Sequence, residues 1–296
     1  MTRRFGGSFA AGIGLTALAS LCFGTMPTIA KYAYREGADV LPLLAMRFSL
    51  TTLLLVGFHA VTCQSIRIPA RAALKLAGVG ACGYAFESSL YFFALERAPA
   101  GVVSLVFYSY PLWTGILAIL VGLERFSLRL AVALTLGGAG VTTIFTVGDA
   151  PLSGLLLALG SAGAVAVYFI LAQYTLVGVR PSIAATWTSA GAAGALLIIQ
   201  PFVPHSLPVS SFPWGVALAV ATSLAFLGLY GGIARLGSSR TAIAAMVEPV
   251  VAVLLAAVIL DEEITIRVAI GALLVISALP VLATTKPNER PASDAI

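Results

Sequence analysis

Apolar runs of about twenty residues, the length that carries a helix across a hydrocarbon core of about 30 Å, follow one another from residue 9 to residue 284. Only short polar breaks part them: REGAD at 35–39, QSIRIPAR at 64–71, ERAP at 96–99, VGDAP at 147–151 and VRPS at 179–182. No soluble domain fits between them. Of 296 residues, 10% are charged and 59% hydrophobic, against about a quarter charged in an ordinary soluble domain. The chain is therefore expected to be an all-α integral membrane protein. Ten transmembrane helices are predicted, near 9–33, 39–61, 72–95, 98–122, 128–147, 152–176, 182–203, 212–235, 240–260 and 267–284.

The start, MTRRF followed by an apolar run and Ala17-Leu18-Ala19, also has the look of a twin-arginine signal peptide with its cleavage site. Cleavage there would leave Leu21 to Tyr32, too short to cross, so the segment is read as the first span. Cys22, Cys63 and Cys82 have no metal-ligand spacing and are read as small packing residues, with neither a disulfide framework nor a metal expected.

With ten spans and a cytoplasmic N-terminus, the inner loops and ends hold twelve Lys and Arg (Arg3, Arg4, Arg67, Arg71, Lys75, Arg125, Arg129, Arg180, Arg235, Arg240, Lys286, Arg290). The outer loops hold four, Lys31, Arg35, Arg97 and Arg267, and Arg47 stays inside the second span. This positive-inside bias predicts a multi-pass protein of the plasma (inner) membrane with both termini cytoplasmic. The net charge of +5 then belongs to the membrane face and does not imply nucleic acid.

Sliding the chain by 138 positions lays YSYPLWTGILAILVGLERFSLR, 108–129, over MVEPVVAVLLAAVILDEEITIR, 246–267, without a gap. Pro111 meets Pro249, Glu124 meets Glu262, Arg129 meets Arg267, and upstream Arg97 meets Arg235. The chain reads as two five-helix repeats, 1–147 and 152–284, with a tail at 285–296. Five is odd, so the second repeat must enter the membrane inverted. Inverted repeats that meet at a midplane site are the architecture of secondary transporters, and a monomer is compatible with it.

On these features the chain resembles the EamA-type permeases of the drug/metabolite transporter superfamily. The most specific stretches are RTAIAAMVEPVVAVLLAAVILDEEIT at 240–265, its first-half equivalent, and AMRFSL at 45–50. Within the superfamily, YAFESSLYFFAL at 84–95 and FYSYPLWTGILAIL at 107–120 are similar to the YddG-like aromatic amino-acid exporters, although helix 9 has Glu-Pro where helix 4 has Tyr-Pro. The resemblance implies a gradient-linked or facilitative carrier that moves small metabolites outward. It also implies a central cavity walled by helices 3, 4, 8 and 9 with contributions from 1 and 6.

Gly78-Val79-Gly80-Ala81-Cys82-Gly83 is a literal GxGxxG, but it lies inside a span with no preceding strand, which the dinucleotide fingerprint requires. Small residues at helical spacing, here and at Gly137, Gly138, Gly140, Gly228, Gly231 and Gly232, are read as helix-packing surfaces. There is no GxxxxGK[ST] loop, so no cofactor is expected and transport must run on a gradient. His59 and His205 lie near no serine nucleophile motif, and the chain is not expected to be an enzyme.

Glu87, near the middle of helix 3, is the most informative polar residue, because an acid there must face a cavity or a partner. Helical spacing groups it or Ser88 with Gly80, Tyr84 and Tyr91. Two readings stand: a substrate or proton role, or a structural pair with Arg47. Glu248 falls eight positions into its span, and Pro249 cannot donate to the carbonyl of Ala245, so Pro249 and its counterpart Pro111 are candidate hinges. Tyr108, Tyr168, Phe226 and Tyr230, beside Thr25 and Thr28 of helix 1, complete the candidate substrate pathway. The function expected is export of small metabolites, neutral or aromatic amino acids favoured, by alternating access. A passive channel, a non-transporting sensor and an integral membrane enzyme are the alternatives.

Overall fold

A computed structural model describes residues 9–120, 128–145, 150–175, 179–203, 206–236, 245 and 248–283. The expected tail at 285–296, Glu124 and Arg125, His205 and the start of the ninth predicted span lie outside these residues. Among the described residues the regular structure is helical throughout. Four helical stretches, Phe9–Arg35, Val40–Val61, Pro181–Phe202 and Val209–Gly232, are each long and apolar enough to cross a membrane, and Leu152–Tyr168 and Glu248–Leu260 are shorter apolar helices.

The helices are α1 (Phe9–Arg35), α2 (Val40–Val61), α3 (Ala70–Gly78), a π-helical turn (Val79–Tyr84), α4 (Ala85–Arg97), α5 (Ala100–Phe107), α6 (Tyr110–Leu120), α7 (Leu128–Phe145), α8 (Leu152–Thr175), α9 (Pro181–Ile199), α10 (Phe212–Leu236), α11 (Glu248–Leu260) and α12 (Ile266–Ala283). Their outward surface is apolar, with Leu53, Leu74, Phe86, Ile198, Leu254 and Leu273 all exposed. Water would not tolerate a surface of that extent, whereas lipid does. The buried positions carry the polar groups, among them Arg47, Glu87, Thr51, Ser161 and Thr222.

Two expected spans are not single regular helices. The stretch predicted at 98–122 is α5 and α6 with a turn at Tyr108–Ser109 between them. Pro111 falls in the first turn of α6, where a missing N–H removes no internal bond. The stretch predicted at 72–95 contains the π turn. A Cβ at Gly80, inside this turn, would collide with the backbone of Thr188 in α9, and one at Gly191 with the backbone of Ala77. Glycine at both positions is what lets α3 and α9 cross at backbone contact. The packing reading of the glycine run thus holds at Gly80, while Gly78 and Gly138 face open space.

The packing partners follow an exchange pattern. α1 lies on α10 and α11, and α8 lies on α4 and α6; α2 lies on α10, and α9 lies on the π turn. The pairs α2 with α9, α5 with α11 and α7 with α12 pack directly.

Candidate solute site

Tyr84, the last residue of the π turn, is the centre of an aromatic group drawn from three other helices. Its ring centroid lies 5.6 Å from Phe48 of α2, 5.4 Å from Tyr168 of α8 and 5.1 Å from Phe226 of α10. Tyr230, one turn beyond Phe226, stands 5.9 Å from that ring, and its hydroxyl is 2.8 Å from that of Tyr168. Edge-to-face contacts of this kind place the positive ring edges against negative faces and so add to the apolar burial.

A second aromatic group follows along α4 and α5. Tyr91 stands 4.9 Å from Phe107, Phe107 5.4 Å from Tyr110, and Tyr110 5.8 Å from Tyr108. The Tyr91 and Ser104 hydroxyls are 3.0 Å apart. The Tyr108 phenol neighbours the carboxylate of Glu248 at the start of α11. Tyr168 joins the two groups, since it and Val165 pack with Tyr84, Phe107 and Tyr110.

Glu87 lies between the groups, three residues beyond Tyr84 and four before Tyr91, and is 5% exposed. Its Oε2 accepts from Ser88 Oγ at 3.1 Å and its Oε1 from Ser161 Oγ at 3.0 Å. Arg47 does not pair with it. The Arg47 guanidinium donates from Nε to Thr222 Oγ1 at 2.7 Å and from Nη2 to Met26 Sδ at 3.3 Å, and lies 4.8 and 5.1 Å from the ring centroids of Phe48 and Phe92. Among the described residues the ion pair within 4.0 Å is Arg97 with Glu96 at the surface. Of the two sequence readings of Glu87, the direct pair with Arg47 is thus not the one built. The charge of Arg47 is held by neutral groups, a hydroxyl, a thioether and two ring faces, which suit a guanidinium better than an ammonium.

The predicted residues Tyr84, Glu87, Ser88, Tyr91, Tyr108, Tyr168, Phe226, Tyr230 and Glu248 are therefore brought together. Thr25 turns to its own helix and donates to Cys22 O at 2.7 Å, while the Thr28 hydroxyl is buried without a hydrogen-bond partner among the described residues. Between them is Pro27, inside α1, which leaves the Phe23 carbonyl without its helical donor. Pro249 is buried in the first described turn of α11, and the turn before it falls partly outside the described residues. Phe48, Phe107, Ser104 and Ser161 were not anticipated. Ser161 sits in the small-residue run LALGSAGAVAVY, which offers no local sign that its hydroxyl meets an acid 74 positions away.

An apolar groove of about 520 Å³, lined by Ile68, Ala70, Ala73, Leu74, Ala77 and Trp187, lies on the α3 and α9 side and contains none of these groups. Trp187 there donates to Ile66 O at 3.2 Å.

A multi-pass helical membrane protein with an aromatic and carboxylate cluster inside it belongs to the class of membrane transport proteins if its sequence relatives do. The EamA-like transporter family model matches residues 10–146 and again 152–284, so the chain is a member of that family, within the drug/metabolite transporter superfamily. It is similar to an uncharacterized transporter of Archaeoglobus fulgidus, 24% identical over 255 residues covering 86% of this chain and 90% of that protein. The fold is also that of a solved structure described only as "Crystal structure of protein", with a TM-score of 0.67 and 23% identity over 93% of this chain and 96% of the other.

Proposed function

We propose that this chain exports small metabolites, with neutral or aromatic amino acids the favoured solutes, by alternating access at the cluster around Tyr84 and Glu87. The observation that carries the reading is the position of Glu87, a buried carboxylate among tyrosine, phenylalanine and serine side chains from α2, α4, α8 and α10. A carboxylate offers about four acceptor sites, and two hydrogen bonds to serines leave room for an ammonium. The rings of Tyr84, Phe226 and Tyr91 supply apolar and π contact for the side chain of such a solute.

The chain is read as two inverted five-helix halves, 1–147 and 152–284, in an inner membrane with cytoplasmic termini. Support comes from the packing pattern, in which α1 on α10 and α11 is matched by α8 on α4 and α6, and from the two matches of one family model. In such an arrangement the site belongs to both halves, and rocking one against the other exposes it alternately.

Concentrative counterflow in proteoliposomes tests the reading against a panel of amino acids, purines and sugar derivatives. Exchange of labelled for unlabelled amino acid is expected; a sensor gives no flux, and a channel gives flux without counterflow. Tyr84→Ala and Tyr91→Ala should weaken tryptophan more than threonine, since each aromatic pair adds about 0.5 to 1.5 kcal/mol beyond area burial. Equal losses for both solutes would argue against an aromatic pocket.

A further inference from the structure

The acid that repeats between the two halves, Glu262, does not belong to the solute cluster. It lies in the five-residue link between α11 and α12, just after Asp261, whose φ of 56° turns the chain. From there it reaches α5: Oε1 accepts the Ala100 N–H at 2.6 Å and Oε2 the Gly101 N–H at 2.9 Å. These are two of the orphan donors at the positive end of a helix, and a carboxylate is their strongest acceptor.

The same end of the molecule carries two further clasps. Lys31 Nζ of α1 donates to Ala98 O at 2.7 Å, in the link before α5, and the Tyr32 hydroxyl donates to Ile259 O at 3.3 Å, near the end of α11. Four helix ends are thus tied together by side chains reaching backbone groups.

What is tied is a short lever. α5 has eight residues, is separated from α4 by the extended residue Ala98 (φ −137°, ψ 159°) and from α6 by the turn at Tyr108–Ser109. It carries Ser104 and Phe107, the partners of Tyr91, and runs straight into Tyr108, a neighbour of Glu248. The Glu262 carboxylate is only partly buried, so water can take over both α5 N–H groups when the contact opens.

We propose that Glu262 is a releasable latch: its bidentate hold on the first turn of α5 closes the Lys31 end of the molecule, and the hold is broken and remade as that end opens to solute. The latch rests on the alternating-access reading. Release frees α5 to swing between its two breaks, and the swing withdraws Ser104 and Phe107 from Tyr91, which couples the surface contact to the solute cluster.

The reporter is Ala256→Cys, 1% exposed and packed against Gly101 beneath the latch, with Cys22, Cys63 and Cys82 replaced. A membrane-impermeant maleimide is applied to each face of proteoliposomes. Glu262→Gln, which keeps the shape but sets an amide against the α5 N–H groups, should label about ten-fold faster and from one face only, as expected when charge-assisted bonds no longer hold the closed state. Lys31→Met should give a smaller increase from the same face, and Glu262→Asp provides the same measurement if the glutamine variant does not fold. Unchanged labelling overturns the latch, and a lowered melting temperature with unchanged labelling identifies a static helix cap instead. Absence of counterflow in the parental protein would overturn the transport reading, whereas labelling needs no flux and decides the latch by itself.

Discussion

The phenol oxygens of Tyr168 and Tyr230 lie 2.8 Å apart, so a hydrogen bond joins α8 to α10. Both side chains are buried, and each ring packs into the group around Tyr84. One phenol must donate and the other accept, which leaves the accepting phenol with a proton to place elsewhere. Tyr168→Phe and Tyr230→Phe should each cost about 1 kcal/mol, and the double variant little more than either alone, because the same bond is lost in all three. Thermal unfolding in detergent measures this; additive losses would show that the hydroxyls act independently.

Glu87→Gln should lower transport at least about ten-fold, the loss of one charge-assisted contact of about 1.4 kcal/mol or more to the solute, while the protein folds normally. Ser161→Ala acts differently. It removes one of the two serine donors to a buried carboxylate, and should lower stability by about 1 to 3 kcal/mol. Flux of Glu87→Gln equal to the parent would remove the acid from the pathway.

The crossing of α3 and α9 predicts opposite signs for neighbouring glycines. Gly191→Ala and Gly80→Ala each drive a methyl into the facing backbone and should cost about 1 to 3 kcal/mol or more. Gly194→Ala, one turn along α9 with open space around it, should be neutral or stabilise by about 0.4 to 1 kcal/mol through the unfolded chain. Unfolding midpoints of the three variants settle it, and a stable Gly191→Ala would mean that the helices separate without cost.

Pro111 and Pro249 are proposed as paired hinges of the two halves. The break in front of Pro111 is at Tyr108–Ser109, so the bend there is a discontinuity in the helix with the proline fixing the start of the next segment. Pro111→Ala and Pro249→Ala should shift cysteine accessibility toward opposite faces of the membrane. Parental transport and accessibility in both would reduce them to static features.

Much of the fold was legible because what makes a span is local: an apolar run either reaches across the hydrocarbon or does not. The mid-span acid and the tyrosines were legible for the same reason, as groups that lipid would not tolerate or that keep one polar end. Arg47 was not. Its partners Met26, Thr222 and Phe92 come from three other helices, and nothing near AMRFSL says that neutral groups, rather than Glu87, would hold its charge.

The sequence by itself determined that this chain is a helical membrane protein with an acid and tyrosines in its interior, and its repeated Pro and Glu positions marked a relation between two halves. Tertiary structure alone decided where those groups point. A π turn interrupts the regular winding at Val79–Tyr84, the break at Tyr108 splits one expected span into α5 and α6, Ser161 crosses from α8 to Glu87, and Glu262 finds the bare N–H groups of a helix more than 160 positions earlier. Apolarity is a property of each residue, summed along the run, but the direction of a side chain and the identity of its hydrogen-bond partner depend on which helices lie beside it. Those neighbours are chosen by close packing across the whole molecule.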